Sequence, residues 1–573
     1  MVGGFQIAWK WGTSRQDHRM LEIRNLSLRV RSSTVRPLIL EGINATYPLA
    51  HFGAIIGPSG CGKTSLLKFI AGVAPGDEEG AVLWQGRNLA DEDFRASELA
   101  YVPQFSLAHG ELTVRESVRF ALDLRVAGLK SKERSLRVEQ ILADIGIQEL
   151  ADQRIKTLSG GQRRRVSLAM ELTSGPRILL CDEVTSGLDH RSESGILDLL
   201  RRQSHEQGRL ILSVTHSLEY LESYDSVLVL HQGRALFQGS YPELLKHFNI
   251  THPSQLYAVL DGDGREVVAG VPVSGARQAL PVSGSEVSHP GLLAQTRVLF
   301  VRRLLTFTRS KGGLALQLGF TLGFPLVVSL FAWGGIPEAR NLSWGLGEGG
   351  IGQYEEARDF LIHSSKVGSL ISGIVMFQVI LLALMGANNS GREIAAERPI
   401  FENERISGLR PLAYVGSKVI FMAILVLIQS ITMGVFVHLT CDFPGDLWVQ
   451  TGFLLLVNAA VTSICLGLSA VMKSADQASL ASVYLVGFQL PLSGAVLALP
   501  EFLGGLVRPF VSSYWSWSGV MQTLRDGNYH QIIESVIQSP LASSGICLWV
   551  LVTHIVLGLL VAWGGCERRQ TGF

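Results

Sequence analysis

Three scarcities in this 573-residue chain each exclude a class of protein. Excess charge of one sign is missing: 50 lysines and arginines stand against 49 aspartates and glutamates, leaving a net charge of +1. A nucleic-acid binder usually carries a basic excess or a basic stripe, so nucleic acid is not an expected partner. Cysteine is sparse and scattered, with six residues at 61, 181, 441, 465, 547 and 566, no CxxC pair and no His/Cys cluster at metal spacing. Neither a zinc site nor a disulfide framework follows from that pattern. Lys10, Arg15, Asp17 and Arg19 crowd the N-terminal residues, which lack an apolar h-region. A cleaved signal peptide is therefore not expected, and the first domain should remain in the cytoplasm.

What is present divides the chain in two. Up to about Leu260 short apolar runs alternate with helical patterns, whereas from about Leu314 long uncharged stretches dominate. In the first half, Gly57-Pro58-Ser59-Gly60-Cys61-Gly62-Lys63-Thr64 follows the apolar run Gly53 to Ile56 and precedes a helix-like segment beginning at Ser65. Strand, glycine turn and helix is the context in which GxxxxGK[ST] is a phosphate loop. Backbone N–H groups would converge on the phosphates, Lys63 would reach the β/γ-phosphates, and the Thr64 hydroxyl would ligate Mg²⁺. Ile178 to Glu183 is an apolar run ending in two acids and reads as a buried parallel strand. Asp182 would hold the metal, through a water, and Glu183 would orient or deprotonate the attacking water. Gln104 is placed to touch Mg²⁺ and sense the γ-phosphate, and His216, after the strand-like Leu210 to Thr215, to hydrogen-bond the γ-phosphate.

These elements, together with LSGGQ at 158 to 162 and Ser186-Gly187-Leu188-Asp189, stand in the order and approximate spacing of an ABC-transporter ATPase, which residues 20 to 250 resemble. The resemblance implies ATP and Mg²⁺ as cofactors. It makes Ser159, Gly160, Gly161 and Gln162 the signature motif, Ser186 to Asp189 the D-loop and His216 the switch histidine. Two such domains would pair head to tail, each signature motif closing over ATP on the partner's phosphate loop. A glycine-rich helix start offers N–H groups and a positive dipole end for that role. Arg163 to Arg165 read as a solvated helix face. Two departures from the family pattern stand out: Val184 replaces the usual proline, and the adenine-stacking aromatic, which would fall near Val30, is missing.

In the second half, six windows of about twenty residues lack acidic and basic side chains other than histidine, long enough to cross a bilayer. They are Leu314 to Gly334, Val367 to Ala387, Val419 to Leu439, Gly452 to Met472, Ala478 to Ala498 and Gly545 to Gly565. Arg302, Arg303, Arg309 and Lys311 precede the first window, Arg392 to Lys418 contributes five cations between the second and third, and Lys473, Arg568 and Arg569 lie on the same side. By the positive-inside rule that is the side of the ATPase. Leu292 to Phe307, with Arg297, Arg302 and Arg303 interleaved, suits either an amphipathic helix on the membrane surface or one packed on the ATPase. Trp515, Trp517 and Tyr514 group as an interfacial belt would.

Glu397 to Gly408 resembles the coupling segment of G-type half-transporters, and the order, ATPase first and spans second, fits that subfamily. The expected fold is an α/β P-loop ATPase, with a RecA-like core and helical subdomain, followed by an all-α six-helix transmembrane domain. The expected boundaries are a tail at 1–19, the nucleotide-binding domain at 20–260, a linker at 261–290, an amphipathic connecting helix at 291–310 and the membrane domain at 311–573. The loop 336–366 is long for that family. The resemblance implies an ATP-driven exporter of a lipid-like or amphipathic substrate, working as a homodimer or as a heterodimer with another half-transporter. Its place is the plasma membrane or a bacterial inner membrane, with the ATPase cytoplasmic. Phe377, Met385, Phe488 and Leu492 would line the substrate path. An importer with a separate capture protein, a mechanotransmission machine and a regulatory ATPase are the alternatives from other classes.

Overall fold

The computed structural model describes residues 20–29, 38–74, 76–89, 94, 98–105, 107–262, 288–337, 351–493, 500–524 and 539–568. Val30 and most of the linker lie outside the described residues. The chain forms two compact units: one holds the described residues up to Gln295 together with Glu402–Leu409, the other Thr296–Phe401 and Arg410–Arg568.

The first unit is built on two sheets. Strands β1 (Met20–Arg29), β2 (Leu38–Pro48), β4 (Asp77–Trp84) and β5 (Arg87–Asn88) make an antiparallel sheet in the order β2-β1-β4-β5. Strands β3 (Phe52–Ile56), β6 (Leu99–Val102), β7 (Ile178–Asp182), β8 (Leu210–Val214), β9 (Ser226–His231) and β10 (Arg234–Gly239) make the second, in the order β10-β9-β3-β8-β7-β6. Every pairing in it is parallel except β10 with β9. Strands β3, β7 and β8 are five-residue runs buried at every position, because helices and the other sheet cover both faces. That leaves only their carboxyl ends for chemistry, the usual place for a ligand in an open parallel sheet. The loop from β3 to the helix Lys63–Ile70, the loop after β6 and the residues after β7 and β8 all leave from that edge.

The second unit is helical. Among the described residues five helices are long and apolar enough to cross a membrane: Lys311–Ala332, Ile362–Ser390, Pro411–Cys441, Leu447–Val471 and Ser544–Glu567. The window Ala478 to Ala498 falls on the helix Ala475–Leu492, which is not among the five. Asp476, Gln477, Gln489 and several serines dilute its hydropathy, and its last residues lie outside the described set. The helix Ile351–Ser390 runs 40 residues, so the second half of the long loop 336–366 is an extension of the second span.

The last span packs against Leu447–Val471 through small residues. A Cβ on Gly558 would meet the Ser463 carbonyl carbon at 2.5 Å, one on Gly467 the Gly558 oxygen at 2.9 Å, and one on Gly565 the Ala470 oxygen at 2.8 Å. Backbones come that close only where side chains are absent. The helix Ser512–Gln522 carries the aromatic group, and here the belt expectation is corrected. Trp517 and Tyr514 are buried, with Trp517 Nε1 donating to Ser372 Oγ at 3.2 Å and Tyr514 OH to the Pro540 oxygen at 2.7 Å. Their polar tips are satisfied inside the bundle, so an interface is not needed for them.

Two cations used to orient the spans are likewise not free. Arg303 forks onto Glu393 at 2.7 Å, and Lys418 Nζ lies 2.8 Å from Glu393 and also pairs with Glu397. Two positive and two negative groups therefore close into a neutral cluster at one end of the spans.

Candidate functional site

The phosphate loop owes its shape to glycine. Gly57 adopts φ 153°, and a Cβ there would sit 2.1 Å from the Leu230 oxygen, so only glycine fits between β3 and β9. Gly62 at φ 102° caps the helix Lys63–Ile70 in the left-handed region and turns the chain into it. A Cβ on Gly60 would meet nothing within 4 Å, leaving open space over the loop. Lys63 is buried, and its ammonium donates to the Gly57 oxygen at 2.8 Å and the Pro58 oxygen at 2.9 Å. The loop thus sets a fixed positive charge beside a helix N-terminus, a fit for the phosphates of a nucleotide.

At the end of β7 the two acids divide. Asp182 is buried; its Oδ1 accepts from Thr64 Oγ1 at 3.0 Å and its Oδ2 from Tyr101 OH at 3.0 Å. Burial pushes its carboxyl up from the ordinary value, Glu183 adds to that, and the two hydrogen bonds oppose it. A carboxylate and a hydroxyl in contact are hard oxygen donors, which suit Mg²⁺. Glu183 leaves the strand at φ 48°, an unusual backbone for a residue with a side chain. Gln104 Nε2 donates to its Oε2 at 2.7 Å, and His216 Nε2 donates to its Oε1 at 2.7 Å. Since Gln104 spends its nitrogen on Glu183, its carbonyl oxygen is the atom that could face a cation.

Lys63, Thr64, Asp182, Glu183, Gln104 and His216 are therefore brought together at one sheet edge. Pro58, Ser59, Cys61 and Ser65 belong to the same loop and helix start. Val184, where proline was expected, is buried in the core.

The signature residues stand apart as a helix start of their own. Ser159 caps the helix Gly160–Glu171, accepting from Gln162 N at 3.3 Å while Gln162 Oε1 accepts from Ser159 N at 2.9 Å. Ser159 and Gly160 are exposed, and a Cβ on Gly160 would meet nothing within 4 Å. Asp189 accepts from Ser192 N at 3.0 Å and Ser192 Oγ at 2.8 Å as the cap of the helix His190–His205, and these bonds hold its carboxyl below the ordinary value. Of the three arginines after the motif, Arg163 is solvent-exposed as expected, whereas Arg164 and Arg165 are half-buried, and each of the three also bonds a carbonyl. Arg163 donates to the Leu158 oxygen at 3.0 Å, Arg164 to the Pro103 oxygen at 3.5 Å and Arg165 to the Ile145 oxygen at 3.3 Å. Loop carbonyls lacking ladder partners recruit them.

Sequence reasoning missed two groups. Tyr101 touches Asp182, and only the strand register could have shown it. The second is a buried pair, Arg125 and Glu171, joined through two bonds of 2.9 Å. Asn403, from the segment Glu402–Leu409 that belongs to this unit, donates to Glu171 Oε1 at 2.9 Å.

Comparison with known proteins gives matches over both halves. Residues 40–186 match the family described as ABC transporter and residues 294–517 the family described as ABC-2 type transporter. The ABC transporter ATP-binding/permease protein Rv1747 of Mycobacterium tuberculosis is 29% identical over 518 residues, covering 87% of this chain and 57% of that protein. The broad substrate specificity ATP-binding cassette transporter ABCG2 of Bos taurus is 33% identical over 275 residues, 44% of this chain and 41% of that protein. The chain spans about half the length of these curated relatives. A solved dimer of the ATP-binding cassette MJ0796 in a post-hydrolysis state with ADP and Pi aligns over 38% of this chain and 98% of that one, at 25% identity and a TM-score of 0.36.

Proposed function

The chain belongs to the ABC transporters, with the ATPase domain ahead of the membrane domain as in the G-type half-transporters, and from that premise we propose an ATP-driven exporter of lipid-like or amphipathic molecules that works as a dimer. One observation carries the reading. Glu183 is clamped between Gln104 and His216 beside a phosphate loop and a Thr64–Asp182 oxygen pair.

The chemistry follows from what each group can do. Lys63 and the N–H groups of the loop bind the phosphates. Thr64, Asp182 and the Gln104 oxygen would hold Mg²⁺, which when bound supplies charge neutralisation on the β- and γ-phosphates. Glu183 takes the proton from the water that attacks the γ-phosphate, and its two clamps fix the direction from which it does so. The exposed Ser159 and Gly160, with the half-buried Gly161 beside them, close over the nucleotide of a partner subunit, so ATP joins two chains and hydrolysis releases them. Asn403 on Glu171 passes that motion toward the spans through the segment Glu402–Leu409.

The substrate path is placed along the dimer interface of the spans. Phe488 is 61% exposed and Phe377 and Leu492 are half-buried, which suits such a lining, while Met385 is enclosed among its own helices. The cation bias supports a cytoplasmic ATPase, at a plasma membrane or a bacterial inner membrane.

The test is Glu183→Gln in reconstituted vesicles. Phosphate release should fall by about 10²-fold or more, the usual share of a general base. Export of a fluorescent phospholipid or an amphipathic dye should stop, while ATP remains bound. Undiminished turnover or export would remove Glu183 from the mechanism.

A further inference from the structure

Asp182 is held by an atom that lies outside the phosphate loop and outside the acid pair. Strands β6 and β7 pair in parallel with Tyr101 opposite Leu180 and Val102 opposite Cys181. Side chains two apart on a strand share a face, so Tyr101, Leu180 and Asp182 stand on one side of the sheet, with Asp182 one diagonal step ahead of Tyr101. The packing agrees: Tyr101 and Leu180 lie in one core cluster, and Ala100, Val102 and Cys181 lie in the cluster on the other face. The phenol reaches along that diagonal to Asp182 Oδ2 at 3.0 Å, while Thr64 takes Oδ1 at the same distance. Two donors on two oxygens fix the plane of the carboxylate as well as its position. Three residues further along the chain, Gln104 bonds Glu183. One strand and its loop therefore hold both acids, but by parts of different stiffness. Tyr101 sits inside the ladder and Gln104 beyond its end.

We propose that Tyr101 is the positioning residue for the divalent-cation site, keeping Asp182 aimed at the metal. The proposal rests on the reading of Asp182 as a metal-holding residue. Partners of this kind typically change metal affinity by about 10- to 100-fold when removed.

The measurement is a Mn²⁺ titration by electron paramagnetic resonance on the full chain in nanodiscs with ADP, which needs no turnover. Tyr101→Phe removes one oxygen and should weaken Mn²⁺ about tenfold, with ADP binding in EDTA unchanged as the check on folding. Asp182→Asn should lose the Mn²⁺ site. An Mn²⁺ affinity of Tyr101→Phe within twofold of the native value, with Asp182→Asn impaired, overturns the role of Tyr101 alone. Native affinity in Asp182→Asn overturns the metal reading beneath it. Tyr101→Leu gives a second route: a loss equal to that of Tyr101→Phe assigns the effect to the hydroxyl, and a loss seen only with Leu assigns it to ring packing and sinks the proposal.

Discussion

His51 lies buried at the turn into β3, with Nε2 2.7 Å from Ser226 Oγ and Nδ1 3.9 Å from Asp225 Oδ2. The same carboxylate oxygen accepts from His205 Nε2 at 2.8 Å and from Phe52 N at 2.8 Å. Burial pushes the His51 pKa below its ordinary value, Asp225 pulls it up, and His205 lowers it further. A folded-state pKa below the unfolded one means that stability is fully present above about pH 6.5, the unfolded value, and is lost as pH falls through the folded pKa, because the unfolded chain binds a proton the folded one refuses. Calorimetry of the first unit's transition in the full chain at pH 7.5, 6.5 and 5.5 should show this, with a slope of up to about 1.4 kcal/mol per pH unit from this one group. His51→Gln should flatten the slope between pH 6.5 and 5.5; an unchanged slope would assign the effect elsewhere. The contrast with the nucleotide site shows what a sequence makes legible. Lys63, Thr64 and Glu183 could be picked out as candidates because the motifs that carry them are contiguous in sequence. Tyr101 could not, because its partner lies 81 residues away and the pairing depends on a register that no local pattern encodes. Arg164 and Arg165 of the signature helix read as solvent-facing by type, and only the fold shows the carbonyls that claim them.

Among elements, the pairing of the spans Leu447–Val471 and Ser544–Glu567 makes the sharpest demand on sequence. Gly558, Gly467 and Gly565 face backbone atoms within 3 Å of where a Cβ would stand, while a Cβ on Gly564 would meet nothing within 4 Å. Gly558→Leu should therefore force these helices apart and lower the yield of monodisperse protein in detergent. Gly564→Leu, six residues further on, should leave the yield unchanged. Size-exclusion profiles of the two variants decide it, and equal profiles would refute the close packing. The existence of five of the spans was readable, since twenty uncharged residues have few alternatives to a membrane. Their ends were not. The helix Ile351–Ser390 begins 16 residues before the first residue of its uncharged window, because helix propagation depends on backbone hydrogen bonds and does not stop where polarity rises. The helix Ser512–Gln522 misled by composition: tryptophan and tyrosine mark an interface only when nothing inside the bundle can satisfy their polar atoms.

At the scale of the whole molecule, the proposed head-to-tail pairing separates two defects that look alike in one chain. Lys63→Ala should disable the chain that carries it by weakening phosphate binding, and Gly161→Asp should disable the partner by placing a negative charge against the γ-phosphate. Each variant alone should be inactive. Co-expressed, they should form mixed dimers in which one site has an intact Lys63 and an intact Gly161, and activity should return to a fraction of native. Phosphate release from affinity-purified mixed dimers measures this, and persistent inactivity would oppose a site shared between two copies of this chain. The neutral cluster of Arg303, Lys418, Glu393 and Glu397 bears on an earlier moment in the molecule's life. A nascent chain is oriented by its lysines and arginines and hardly at all by its acids. Arg303 and Lys418 can therefore direct insertion while still bare and be neutralised only as the helices come together. On the proposed orientation, topology and assembly would draw on the same two cations at different times, the first through their charge and the second through its cancellation.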